Sequence, residues 1–219
     1  MRLVHASSCR AGWRDIGIIE KGRIKYKERY NVENMILPIY TYGQPVLRKV
    51  AEDIDENYPN LEDLIKNMYD TLAHSEGIGL AAPQIGLSIR LVVINLDLIS
   101  DDFPEYKGFI RTFINPHITE LDDTETDTME EGCLSIPGIH ESVKRPTRIH
   151  VTYLDENFQL HDEWVSGYLA RVMQHEFDHL EGKVFTDHLT GLRKQLTRSK
   201  LQSIVKGKFS CNYKVKVKR

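Results

Sequence analysis

The stretch that decides the fold is Gly167-Tyr168-Leu169-Ala170-Arg171-Val172-Met173-Gln174-His175-Glu176-Phe177-Asp178-His179-Leu180, followed by Glu181-Gly182. It reads as a helix over 167–180 that Gly182 stops, because glycine readily takes the left-handed conformation that ends a helix. Inside it stands His175-Glu176-Phe177-Asp178-His179. Residues four apart on a helix share a face, so both imidazoles can reach one metal ion while Glu176 stands beside it as a base. The plainer reading of the same spacing is two neighbouring surface histidines. Asp178 can accept the outer ring N–H of a histidine or anchor the helix.

A catalytic metal site needs a third protein ligand and an open position. Downstream, Glu181 is too close to His179 along the helix, and His188 lacks the spacing of the longer zinc-protease pattern. Upstream, Glu131-Gly132-Cys133-Leu134-Ser135-Ile136-Pro137-Gly138 places Cys133 in a loop or short strand bounded by Gly132 and a Pro-Gly turn. On its own, Cys133 reads more readily as an inert buried thiol than as a ligand.

A third feature is Gly77-Ile78-Gly79-Leu80-Ala81-Ala82-Pro83-Gln84-Ile85-Gly86. Its small residues let another backbone approach closely, as an edge accepting an extended peptide requires, and Gln84 offers an uncharged amide donor. A tight helix-to-strand link is the simpler alternative. The glycine spacing and lysine of a phosphate loop are missing, which argues against nucleotide binding.

Around these motifs, Leu61, Leu64, Ile65, Met68 and Leu72 follow one helix face over 60–73. Leu91-Val92-Val93-Ile94, Phe109 to Ile114, and Ile149, Val151, Tyr153 read as strands. The links between them lack crossover helices, so the sheets are expected to be antiparallel. A last helix is expected over 192–205, with Leu192, Leu196 and Leu201 facing the body.

The 219 residues are 41% hydrophobic and 28% charged, a globular balance. A chain of this length builds a core without disulfides or metal, so a metal would serve chemistry. Cys9, Cys133 and Cys211 form no Cys-x-x-Cys pair, which excludes a disulfide framework and a zinc knuckle and fits a reducing cytoplasm. No run of 18 apolar residues suggests a membrane span. The net charge of −3 hides segregation: residues 1–34 hold 8 basic and 4 acidic side chains, residues 35–187 hold 11 and 28, and residues 188–219 hold 10 and none. The organisation expected is an extension over 1–34 without clear periodicity, a catalytic domain over 35–188, and a basic helix and tail over 189–219. The extension reads as an added leader, an early start ahead of Met35, or an organelle transit segment. Asp15, Glu20, Glu28 and Glu33 weigh against the transit reading.

Taken together, Gly77 to Gln84, Glu131 to Ser135 and Gln174 to Gly182 resemble the three signatures of peptide deformylases, Gly-x-Gly-x-Ala-x-x-Gln, Glu-Gly-Cys-x-Ser and Gln-His-Glu-x-Asp-His-Leu-x-Gly. The resemblance covers 35–188. It implies an α+β fold, with antiparallel β-sheets packed around the central helix that carries the two histidines, and removal of the N-formyl group from nascent chains that begin with formylmethionine. It implies Cys133, His175 and His179 as metal ligands, with Fe2+ the usual metal and Zn2+ or Ni2+ able to occupy the site. Glu176 becomes the proton shuttle, and Gln84 with the Leu134 backbone N–H the oxyanion donors. Gly79 becomes the residue that pairs with the substrate backbone.

The methionine pocket is expected beside the histidine helix, at Val172 and Tyr168, which lie three and seven residues before His175, with Ile78 and Leu134 as further walls. Ordinary core packing is the alternative for these side chains. The basic tail is expected either to contact ribosomal RNA or to fold on the acidic body, where the alternation at Tyr213, Val215 and Val217 could add a strand. A His-Glu-x-x-His endopeptidase and an RNA-associated binding module are the rival functions. The absent downstream ligand disfavours the first, and the intact Glu176 the second.

Overall fold

The computed structural model describes residues 35–218, together with the backbone of two short strands within the first 34. Those strands, β1 (Gly17–Glu20) and β2 (Arg23–Tyr26), pair antiparallel, where the sequence showed no clear pattern. The rest of 1–34, including the question of its origin, lies outside the described residues. The chain divides into two units, Met1–Met35 and Ile36–Arg219.

In the second unit β3 (Ile39–Tyr40) is followed by α1 (Leu61–His74), β4 (Gly79–Ala81), β5 (Leu91–Asn95), β6 (Ile110–Gly132), β7 (His140–Leu154) and β8 (Leu160–Ser166). Then come α2 (Gly167–Leu180), α3 (Gly191–Val205) and β9 (Val215–Lys216). Strands β4 to β8 form one antiparallel sheet in sequence order.

Strand β5 explains why a continuous apolar run reads as a strand here. Successive side chains point to opposite faces of a sheet. Val92 and Ile94 accordingly pack with Val172, Met173 and Phe177 of α2, whereas Leu91 and Val93 pack with Met68 and Leu72 of α1. The sheet is thus covered by α2 on one face and α1 on the other. A third cluster joins Ile136, Ile139 and Val143 to Phe185, Leu189 and Ile204 of α3. Each such side chain, fully buried, contributes roughly 1.5–3 kcal/mol.

Three expectations need correction. The strand expected over 109–114 is the start of the 23-residue β6, which carries register shifts between Ile114 and His117, Ile118 and Glu120, and Asp122 and Thr126. Not every pair is antiparallel: β9 joins β3 in parallel, Ile39 opposite Val215 and Tyr40 opposite Lys216, because nearly the whole unit lies between them and reverses direction freely. Leu192 and Leu196 do not face the body, being 68% and 62% exposed. The buried face of α3 instead holds Thr197 and Ile204. Thr197 donates to Glu141 at 3.2 Å and so can be buried despite its hydroxyl.

Candidate metal centre

Helix α2 brings His175 and His179 to one face, their rings at 81° with centroids 5.4 Å apart. Cys133 arrives from the loop just after β6, and its Sγ lies 3.3 Å from His179 Nε2. One donor atom from each of Cys133, His175 and His179 falls within 4.8 Å of the other two, a separation that a single ion can bridge. The donor set, one thiolate and two imidazoles, suits a borderline-soft divalent metal. Burial works against ionisation of the Cys133 thiol, but the two imidazoles outweigh it and draw the pKa down to about 5. The thiolate is therefore available to an ion.

His175 is oriented from behind. Its Nδ1 lies 2.8 Å from Glu131 Oε2, which leaves Nε2 for the centre. Glu131 is itself buried, and Arg145 Nε donates to Oε1 at 2.7 Å and Arg171 Nη1 to the same oxygen at 2.9 Å. Burial alone would raise this carboxyl, but His175 and Arg145 hold it far below the usual carboxylate range. Arg145 Nη1 also reaches Asp178 Oδ2 at 2.8 Å, and His188 Nε2 lies 2.7 Å from the same oxygen. Asp178 thus anchors the helix and meets His188, not the histidines of the centre. Arg171 also pairs with Asp127.

Glu176 stands between the two histidines in sequence and is 5% exposed. Burial, only partly offset by His175 and His179, raises its carboxyl to about 7. Its Oε2 has no hydrogen-bond partner among the described residues, as expected of a group kept for a reactant. Gly79 makes room for it: a Cβ there would lie 2.4 Å from Glu176 Oε1. Gly182 is needed at the helix end, since it adopts φ +66° and a Cβ would meet the Arg48 backbone at 2.8 Å.

Gln84 occupies a 3-10 turn over Ala82–Ile85 and is almost fully buried. Its Oε1 accepts from the Ala81 N–H at 2.8 Å, which fixes the amide orientation. Nε2 therefore points inward, 3.5 Å from Cys133 Sγ and 3.4 Å from Ser135 Oγ. A cleft of about 410 Å³ opens onto the centre, and Ile78, Gly79, Gln84, Cys133, Leu134, Tyr168, Val172, His175 and Glu176 line it. Strand β4 ends the sheet order, so its outer edge has no strand partner among the described residues.

Nine of the ten residues singled out in the sequence therefore line this cleft, and the tenth, His179, is fully buried 3.3 Å from the Cys133 Sγ. Glu131 and Arg145 were missed as supports, and Ser210, Cys211 and Tyr213 as lining. The place of Glu131 in Glu-Gly-Cys was the available signal. Arg171 lies at the i−4 position from His175, on the same helix face, and reaches Glu131 from there.

A thiolate donor, two imidazoles one helical turn apart and a buried carboxylate between them define a metal-dependent hydrolase. The polypeptide deformylase family model matches residues 36–195. A peptide deformylase of Christiangramia forsetii is 49% identical over 189 residues, 83% of this chain and 96% of that one. One of Flavobacterium psychrophilum is 47% identical over 190 residues, 84% of this chain and 97% of that one. Among solved structures, the Thermotoga maritima peptide deformylase is 39% identical with TM-score 0.63, covering 71% of this chain and 99% of its own. The Plasmodium falciparum enzyme in complex with inhibitor is 36% identical with TM-score 0.67, covering 77% and 99%. The chain belongs to the peptide deformylase family, the metal-dependent hydrolases that remove the N-formyl group from nascent peptides.

Proposed function

We propose that Cys133, His175 and His179 hold one divalent ion, Fe2+ in the cell with Zn2+ or Ni2+ able to replace it, and that Glu176 moves the proton of the reaction. The observation that carries this reading is the convergence of three donor atoms within 4.8 Å at the foot of a cleft. A bound ion would supply Lewis-acid polarisation and make water acidic enough to serve as a nucleophile near neutral pH. Glu176, buried with its Oε2 unpartnered among the described residues, is placed to accept a proton from water and return it to the departing amine. Gln84 Nε2 and the Leu134 N–H are the donors for the oxyanion of the tetrahedral intermediate, where a donor in place beforehand stabilises developing charge at no cost in reorganisation. Gly79, on the free edge of β4, pairs with the substrate backbone as an added strand. Ile78, Tyr168, Val172 and Leu134 enclose the methionine side chain.

Cobalt substitution tests the ligand set. The account expects a thiolate-to-metal charge-transfer band that disappears in Cys133→Ala. Persistence of the band in that variant would refute Cys133 as a ligand.

We further propose that residues 35–188 form the catalytic domain and that the protein works in the cytoplasm, meeting formylated chains at the ribosome through α3 in the basic 189–219 segment. Lys194, Arg198 and Lys200 are exposed on that helix, next to exposed Leu192 and Leu196, and Arg193 alone of its basic residues is paired, to Glu141 at 2.7 Å, among the ion pairs of the described residues. Phosphate contacts of this kind weaken steeply with salt. Triple charge reversal (K194E, R198E, K200E) should abolish ribosome co-sedimentation at low salt; unchanged co-sedimentation would refute docking. No helix among the described residues is long and apolar enough to cross a membrane.

A further inference from the structure

The C-terminal segment is built into the cleft. The Ile39 N–H donates to the Lys214 carbonyl at 2.9 Å and the Thr41 N–H to the Lys216 carbonyl at 3.2 Å, which fastens β9 along β3. Phe209 packs on the third core cluster and the Tyr213 ring on the second. Along this segment Ser210, Cys211 and Tyr213 line the cleft. The Tyr213 hydroxyl makes a separate contact: it donates to the Leu134 carbonyl at 2.9 Å.

Leu134 follows Cys133 directly, in a loop whose other ties are known. The Ile136 N–H donates to the Cys133 carbonyl at 2.8 Å, and the Tyr42 N–H donates to the Ser135 carbonyl at 2.8 Å. These bonds fix the residues on either side of Leu134, and the Tyr213 hydroxyl fixes its own carbonyl. Two backbone torsions are soft per residue, so a residue held at both flanks and at its carbonyl has little freedom left to turn its N–H.

We propose that Tyr213 is a positioning residue for deformylation, its hydroxyl holding the Leu134 carbonyl so that the Leu134 N–H is aimed at the oxyanion, with residues 210–213 forming a wall of the substrate cleft. This rests on the reading of Leu134 as an oxyanion donor. Ring and hydroxyl have separable jobs: the ring packs in the core, and the hydroxyl sets the loop. Tyr213→Phe keeps the first and removes the second.

The test compares wild type and Tyr213→Phe in two measurements. In the first, kcat and KM are determined on formyl-Met-Ala with metal content measured alongside. The second follows amide hydrogen exchange through residues 133–136. The proposal expects kcat to fall about fivefold, the effect of one neutral hydrogen bond. It expects KM within about twofold and metal content unchanged, since the hydroxyl bonds the Leu134 carbonyl and neither the Leu134 side chain nor a ligand atom. Exchange through 133–136 should quicken while that of α2 stays the same. Unchanged exchange would overturn the proposal at its base, because the hydroxyl would then not restrain the loop. Faster exchange with wild-type kcat would overturn it differently, by showing that the Leu134 donor role on which it rests is wrong. A raised KM with wild-type kcat would leave Tyr213 as a wall of the cleft only and would likewise refute positioning.

Discussion

Glu131 shows how far the chemistry of one residue reaches. It accepts from His175 Nδ1 and from both Arg145 and Arg171, so the carboxylate that turns the imidazole is itself locked by two guanidiniums. Replacing it with glutamine keeps the size but removes the charge that both arginines and the imidazole need. Glu131→Gln should weaken metal binding by about 10–100-fold, measured by competition with a chelator. Affinity equal to wild type would mean that His175 needs no support from behind. Gly79 carries a second prediction at this scale. Gly79→Ala would push a methyl to within 2.4 Å of Glu176 Oε1, so the carboxylate must swing away in a space where it is buried. Activity should fall about 100-fold, the expected result of misplacing a catalytic group by about 1 Å, while the metal content stays constant. Equal activity would show that Glu176 has room to spare.

Among the elements, α2 binds site and core together, because one face carries His175 and His179 and the other carries Phe177 into the sheet. Phe177 is 2% exposed and meets Phe113 edge to face with centroids 6.0 Å apart. Phe177→Ala should cost about 3–5 kcal/mol in urea unfolding. A loss below about 1 kcal/mol would contradict its placement. The turn after α2 adds a pH-dependent tie. Asp187 pairs with Arg48 and accepts from the Val184 N–H, and although burial raises its carboxyl, these contacts hold it below the usual range. A carboxylate whose pKa is lower folded than unfolded stabilises the protein above the unfolded value, about 4, and loses that effect as pH falls through the folded value. Asp187→Asn should therefore cost about 0.5–1 kcal/mol at pH 7, a modest figure because the pair is partly exposed. The difference from wild type should shrink as pH falls below about 4 and disappear below the folded value. A gap that does not change with pH would refute the ion pair.

For the molecule as a whole, the site was legible where local spacing becomes spatial proximity. The helical period alone places His175, Glu176 and His179 together, and the unbroken apolar run of β5 alone reads as a strand. The thiol needed more: Cys133 reaches His179 across 46 residues, and the resemblance of its motif, not any periodicity, picked it out. The support behind His175 had no local signature, since Arg145 meets Glu131 across 14 residues and Asp178 across 33. Strand β6 runs well past the 109–114 stretch that reads as a strand, since pairing with β7 holds the exposed acidic run after Pro116 extended. Leu192 and Leu196 were misplaced because their spacing fits a buried face, and the tertiary contacts of Thr197 and Ile204 decided otherwise. The central claim is that this buried constellation removes formyl groups with Glu176 as the proton carrier. Formate release from formyl-Met-Ala by ferrous-loaded protein under anaerobic conditions, in wild type and Glu176→Ala with metal content measured on both, tests it most directly. The account predicts formate from the wild type, about 100- to 10,000-fold less from the variant, and equal metal in the two. Metal lost together with activity in Glu176→Ala, or formate released by both at the same rate, would contradict it.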